Sequence, residues 1–69
     1  MAMYEFRVDG RLSEQVREAF CDMRVEEIPT GARLSGEVTD ESHLMGILAQ
    51  FVALDLVVVS ARRVAQGAV

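Results

Sequence analysis

The sequence predicts one small α+β domain in which two helices cover one face of a four-stranded antiparallel sheet, in the chain order β-α-β-β-α-β. Alternating apolar and polar residues indicate strands, apolar residues three and four positions apart indicate helices, and Pro29-Thr30-Gly31 indicates a tight turn. With 69 residues, of which 51% are apolar, the chain is long enough for one core. Because so small a core gives little stability, we expect association to support it.

The first part of the chain predicts a strand followed by a short helix. Within residues 3–8 every second side chain is bulky and apolar and faces the core: Tyr4, Phe6 and Val8. After a turn at Asp9-Gly10, helical periodicity predicts a helix of two to three turns with Ser13 as its N-cap. Its apolar face consists of Leu12, Val16, Ala19 and Phe20.

The middle of the chain predicts a hairpin. Residues 23–28 form an edge strand, in which the adjacent Glu26 and Glu27 break the alternation and predict a bulge or a ragged edge. The turn at residues 29–31 follows, and residues 32–38 alternate again as the third strand.

Residues 39–64 organise the rest of the domain. The polar stretch 39–42 suits the start of a helix, because short polar side chains cap free N–H groups and acidic ones favour the positive end of the helix dipole. The predicted core-facing residues of this helix are Leu44, Ile47, Leu48 and Phe51. We expect the helix to anchor the core, so that Leu48→Ala costs about 2 to 5 kcal/mol. Asp55 tolerates the left-handed conformation that ends many helices, and residues 56–59 begin an apolar strand.

This order of elements predicts the ferredoxin-like arrangement. Two right-handed βαβ-type crossovers around a central hairpin place the first and third strands in the middle of the sheet. Both helices then cover one face, and the other face stays open. We predict a single domain over residues 1–69, with an ordered core from about residue 3 to residue 64 and a frayed tail at residues 65–69.

The segment TDESHLMGILAQFVALDLVVVSARRV, preceded by YEFRVDGRLSEQVREAF, resembles a group of small actinobacterial proteins whose function is not established. The shared features are a Tyr-x-x-x-Val-x-Gly strand and turn, an Asp-initiated helix with Leu-x-Gly-x-Leu, and an apolar strand that ends in Val-Arg. These motifs are structural, so the resemblance implies the ferredoxin-like fold and no activity. Asp55 departs from the pattern, which has glycine after the helix.

Composition argues against several classes of partner. The net charge is −4 and all seven basic residues are arginine, scattered along the chain, so neither nucleic acid nor an anionic membrane is an expected partner. The longest apolar run is far shorter than the roughly 20 residues that span a bilayer. The first residues also lack a basic region followed by an apolar stretch, which predicts a cytoplasmic protein.

The sequence predicts no catalytic residue, cofactor or metal. Metallochaperones with this topology carry a Cys-x-x-Cys pair after the first strand, whereas residues 8–12 of this chain contain no thiol. Cys21 and His43 are the only residues of their kinds. We interpret Cys21 as a half-buried structural thiol and His43 as an exposed residue at a helix start, and we do not expect them to act as a pair.

We therefore predict a non-enzymatic module that acts by protein association, most simply as a homodimer. If residues 56 and 58 face the core, then Val57, Val59 and Ala61 point to the open face and form the candidate interface. The alternative is a regulatory domain of the ACT kind, which binds a metabolite between protomers, because the segment Gly46-Ile47-Leu48-Ala49 resembles the Gly-x-Leu-Ala of those domains. A third hypothesis is a small enzyme that uses His43 at a dimer cleft. We expect Gly46 itself to allow close packing of its helix on the sheet or on another helix.

Overall fold

The computed structural model describes residues 2–64 of the chain. The strands are β1 (Ala2–Asp9), β2 (Arg24–Ile28), β3 (Gly31–Val38) and β4 (Val57–Val64), and the helices are α1 (Glu14–Ala19) and α2 (Glu41–Ala53). This is the predicted order of elements. The tail predicted to fray, residues 65–69, lies outside the described residues.

The strands form one antiparallel sheet in the order β2-β3-β1-β4. Val16 of α1 and Ile47 of α2 are buried in the same core as Phe6, so both helices lie on one face of the sheet. The central positions of β1 and β3 follow from the crossovers, because each helix carries the chain past a neighbouring strand before the next one is added. The ferredoxin-like α+β fold is therefore confirmed.

The β2–β3 hairpin closes through the two residues Pro29 and Thr30, with Ile28 opposite Gly31. Gly31 has a φ of 159°, and a Cβ there would run into the backbone carbonyl oxygen of Val8. Only glycine fits this position, since the close approach leaves no room for a side chain. The edge position of β2 is confirmed, but its register with β3 is unbroken, so the bulge considered at Glu26 and Glu27 is absent.

The helix α1 is shorter than the expected two to three turns, because it contains six residues. Ser13 is its N-cap as predicted, and its Oγ accepts a hydrogen bond from the backbone N–H of Val16 at 3.3 Å. Val16 and the following C-cap residue Phe20 are both buried in the core. A helix this short is held by tertiary packing and not by its own propensity.

Side chains fix the start of α2. The Oδ1 of the N-cap Asp40 accepts a hydrogen bond from the backbone N–H of His43 at 2.8 Å. The Nδ1 of His43 in turn accepts one from the backbone N–H of Thr39 at 3.1 Å. The arrangement differs from a capping box, because the side chain of His43 bonds the N–H of Thr39, which precedes the N-cap, and not that of Asp40.

The other end of α2 closes through Asp55 in the left-handed conformation, with a φ of 63°. The backbone N–H of Asp55 donates to the carbonyl of Val52 at 3.0 Å, and the N–H of Leu56 donates to the carbonyl of Phe51 at 2.9 Å. This is the Schellman pattern of hydrogen bonds, and Leu56 and Phe51 are both buried, as the motif favours. The prediction that Asp55 ends the helix is confirmed.

Three phenylalanines form the centre of the core. The ring of Phe51 lies 5.4 Å from that of Phe6 and 4.9 Å from that of Phe20, measured between centroids. All three side chains are buried, and Phe51 is fully so. Phe51 is the most deeply buried residue of α2 and anchors the helix, whereas Leu48 is half-buried at the margin of the same face.

Candidate interaction surface

The two edges of the sheet differ in how they are protected. The edge strand β2 has five residues, and Arg24, Glu26 and Glu27 are exposed on it. The edge strand β4 has eight residues, begins with three valines, and pairs only with β1 among the described strands. Short charged edges resist further strand pairing, whereas long apolar ones invite it. Among the described strands, the first part of β4 is therefore the less protected edge, whereas Arg62 and Arg63 place charge on its second part.

Two exposed valines lie at this edge, and we call Val57 and Val59 the β4 patch. Val57 is 65% exposed and Val59 is 57% exposed, while Val58 between them is half-buried against the core. Val57 pairs with Asp9, on the open face. Val59 lies beside Asp9 and Ile28 in a shallow depression of about 240 Å³ on that face.

A β-bulge corrects one part of the predicted interface. Arg7 pairs with Ser60 whereas the next residue, Val8, pairs with Val58, so the register shifts and Val59 has no partner on β1. An extra residue reverses the alternation of the strand beyond it. Ala61 consequently pairs with the buried Phe6 and lies on the helix-bearing face. The prediction that Ala61 shares the open face with the β4 patch is wrong.

The open face carries balanced charge. The register places four arginines and four carboxylates on it: Arg7, Arg24, Arg33, Arg62, Glu5, Asp9, Glu26 and Glu37. Two ion pairs join neighbouring strands, Arg33 with Glu26 and Arg62 with Glu5, each at 3.5 Å. Since these charges cancel, the net charge of −4 belongs to the rest of the chain.

The centre of this face contains two arginines directly opposite each other, Arg7 on β1 and Arg33 on β3. Like charges in this position repel. The Nε atom of Arg33 is buried without a hydrogen-bond partner in the described part of the chain. A buried donor without a partner costs about 1 to 3 kcal/mol. The Nη1 atom of the same side chain is paired with Glu26.

A second exposed apolar surface, which the sequence analysis missed, is the outer side of α2. We call it the α2 seam, and its exposed residues are Ser42, Met45, Gly46, Ala49, Val52 and Ala53. Met45 is 62% exposed and Val52 is 74% exposed. The sequence signal was present, because α2 contains no charged residue after Glu41. A helix that is apolar on all sides is usually covered on all sides.

Gly46 in this seam does not pack on the sheet, and its predicted packing on another helix stays a prediction. A Cβ at Gly46 would meet nothing within 4 Å, so the residue does not serve close packing against the rest of the described chain. Glycine inside a helix costs about 1 kcal/mol relative to alanine. Within the described chain we find no contact that requires glycine at this position.

Cys21 and His43 lie in different settings. The thiol of Cys21 is exposed, so the expectation that it is half-buried is wrong. His43 is half-buried and not exposed as expected, and its Nδ1 accepts a hydrogen bond from the backbone N–H of Thr39, which supports the start of α2. No group of three or more potential metal ligands occurs among residues 2–64. Neither helix in that range has the length and apolar character needed to cross a membrane.

Comparison with known families gives one match. The family model described as "Domain of unknown function (DUF8691)" matches residues 3–62. The chain belongs to this family. The match spans all six elements except the first residue of β1 and the last two of β4, so the DUF8691 domain and the ferredoxin-like unit coincide. No curated protein and no solved structure matches the chain significantly.

Proposed function

We propose that this DUF8691 protein is a protein-association module that forms a homodimer through the β4 edge. The observation that carries the proposal is the exposure of Val57 and Val59 on the long edge strand β4. The strand at the other edge of the sheet, β2, is short and charged. Exposed apolar side chains beside unpaired backbone groups are typical of strands that pair with another chain. The location of the protein in the cytoplasm of an actinobacterium is part of this proposal and rests on sequence alone.

The charge distribution supports contact on this side of the molecule. Two copies that each carry a net charge of −4 repel one another at a distance. Contact at the β4 edge brings together the neutral open faces and keeps the acidic remainder of each chain apart.

The free energy gained by burying the valines alone indicates a weak dimer. Burying a fully exposed valine contributes about 1.5 kcal/mol or more. Val57 and Val59 are already partly buried, at 65% and 57% exposed, so the four valines of a two-fold contact contribute about 4 kcal/mol. Association costs about 4 to 15 kcal/mol in lost translational and rotational freedom. Backbone pairing between the β4 strands, or contacts between the open faces, must supply the remainder.

Sedimentation velocity over a concentration series tests the proposal. The unmodified chain should sediment as a concentration-dependent dimer, and Val59→Glu should sediment as a folded monomer, because a charge cannot be buried in the contact without a partner. The matched control is Val52→Glu, which places the same charge at an exposed valine away from the β4 patch and should leave the dimer intact. Val58→Glu should unfold the chain, since Val58 packs against the core.

Several results would contradict the proposal. An unmodified chain that is monomeric at high micromolar concentration, or a Val59→Glu variant that remains dimeric, would refute it. Hydrogen exchange then distinguishes the two geometries: edge-to-edge pairing protects outward-facing amides of β4, and stacking of open faces does not. A metabolite retained by the dimer in native mass spectrometry would instead favour the ACT-like alternative.

A further inference from the structure

The α2 seam has the spacing of a helix-packing surface. Ser42, Met45, Ala49 and Val52 follow one another at intervals of three, four and three residues, which is the a/d spacing by which two helices interlock. All four residues are exposed in the described chain. A helix that covers one side of a sheet normally presents several charged residues to water, but α2 presents only Glu41, in its first turn.

Gly46 extends the seam into a slot. It follows Met45 on the outer side of α2, and a Cβ there would meet no atom within 4 Å. With glycine at this position and alanine at Ala49 and Ala53, the backbone of a second helix can approach α2 closely. The larger side chains of Met45 and Val52 flank this slot and supply the apolar contact area.

The acidic residues at both ends of the α2 seam indicate which kind of helix can bind there. Asp40 and Glu41 lie at the N-terminal end of α2 and Asp55 lies at the C-terminal end, all exposed. The last turn of α2 contains no basic residue. The negative end of the helix dipole and the carboxylate of Asp55 therefore add up to a negative potential at this end of the helix. A second copy of α2 would place carboxylates against carboxylates in either orientation. A partner helix with basic residues at its ends would instead place positive charges against these carboxylates.

We propose that the α2 seam binds an amphipathic helix of a partner protein, with an apolar a/d face and with lysine or arginine residues flanking that face. The partner helix fills the slot above Gly46, covers Met45 and Val52, and places a basic side chain near Asp55. The module then uses two separate surfaces, the β4 patch for a second copy and the α2 seam for a different protein. The inference does not depend on the dimer, because the two surfaces share no residue.

Two synthetic helical peptides test this proposal directly. Both carry leucine at the a and d positions and match α2 in length, but one has lysine at the flanking positions and the other has glutamate. Fluorescence anisotropy of the labelled peptides against the full chain should show binding of the lysine peptide, weakening as salt increases. The glutamate peptide should bind at least about tenfold more weakly, because its charges face the acidic ends of the seam.

Variants of the full chain locate the contact. Val52→Glu should weaken binding of the lysine peptide by at least about tenfold and leave the chain folded, since the residue is exposed. Asp55→Asn should weaken it by a smaller factor, because asparagine tolerates the left-handed conformation and removes only the charge. The matched control is Val59→Glu, which should leave peptide binding unchanged while it splits the dimer.

The outcomes separate the two proposals. The seam is not a docking site for a basic helix if the lysine peptide fails to bind at millimolar concentration, binds no better than the glutamate peptide, or binds Val52→Glu equally well. If Val52→Glu instead converts a dimer to a monomer, the seam is a contact between copies, and the proposed partner is wrong. Loss of the dimer in Val59→Glu with peptide binding retained supports both proposals.

Discussion

Replacing Gly46 by alanine should stabilise the isolated domain, although the residue lies in the middle of the longest helix. The added methyl group would meet no atom within 4 Å, so it creates no clash. Alanine is favoured over glycine inside a helix by about 1 kcal/mol, because the unfolded chain loses less conformational freedom. For a domain of this size, that gain corresponds to a rise of about 4 to 8 °C in the melting temperature.

Chemical denaturation followed by circular dichroism measures the effect. The matched control is Ala49→Gly, at an exposed position of the same helix, which should lose about 1 kcal/mol by the same reasoning. The slope of the free energy of unfolding against denaturant should stay constant in both variants, since neither changes the surface buried. A Gly46→Ala variant that is less stable than the unmodified chain would show that Gly46 packs closely after all, and the open slot would be wrong.

Three further substitutions test the core and two backbone positions. Phe51→Ala should cost about 3 to 5 kcal/mol, enough to unfold much of a domain this small, and a smaller loss in denaturant melts than for Leu48→Ala would show that the anchor is misassigned. Asp55→Gly should raise the free energy of unfolding by up to about 1 kcal/mol, because glycine adopts the left-handed conformation without strain; an unchanged melting temperature would contradict this. Gly31→Ala should abolish cooperative unfolding, since its methyl group overlaps the carbonyl of Val8, and a native-like NMR spectrum would show that the hairpin can relax.

The sequence by itself determined the elements and their order. Local signals were sufficient, because alternation defines a strand, three-four spacing defines a helix face, and caps are read from one or two residues. Ser13 caps α1, the stretch 39–42 contains the cap of α2, and Asp55 ends it, all as predicted. The order of elements then restricts the topology to few choices, because βαβ crossovers are right-handed.

The tertiary structure decided which side chains remain exposed, and hence the two surfaces proposed for binding. The bulge at Val59 depends on how β4 aligns with β1, which residues distant in the sequence determine, and it moves Ala61 to the other face. Whether Gly46 touches a neighbour likewise depends on where α2 lies above the sheet. Register and packing arise from contacts between distant segments, so periodicity within one segment predicts a face but not what covers it.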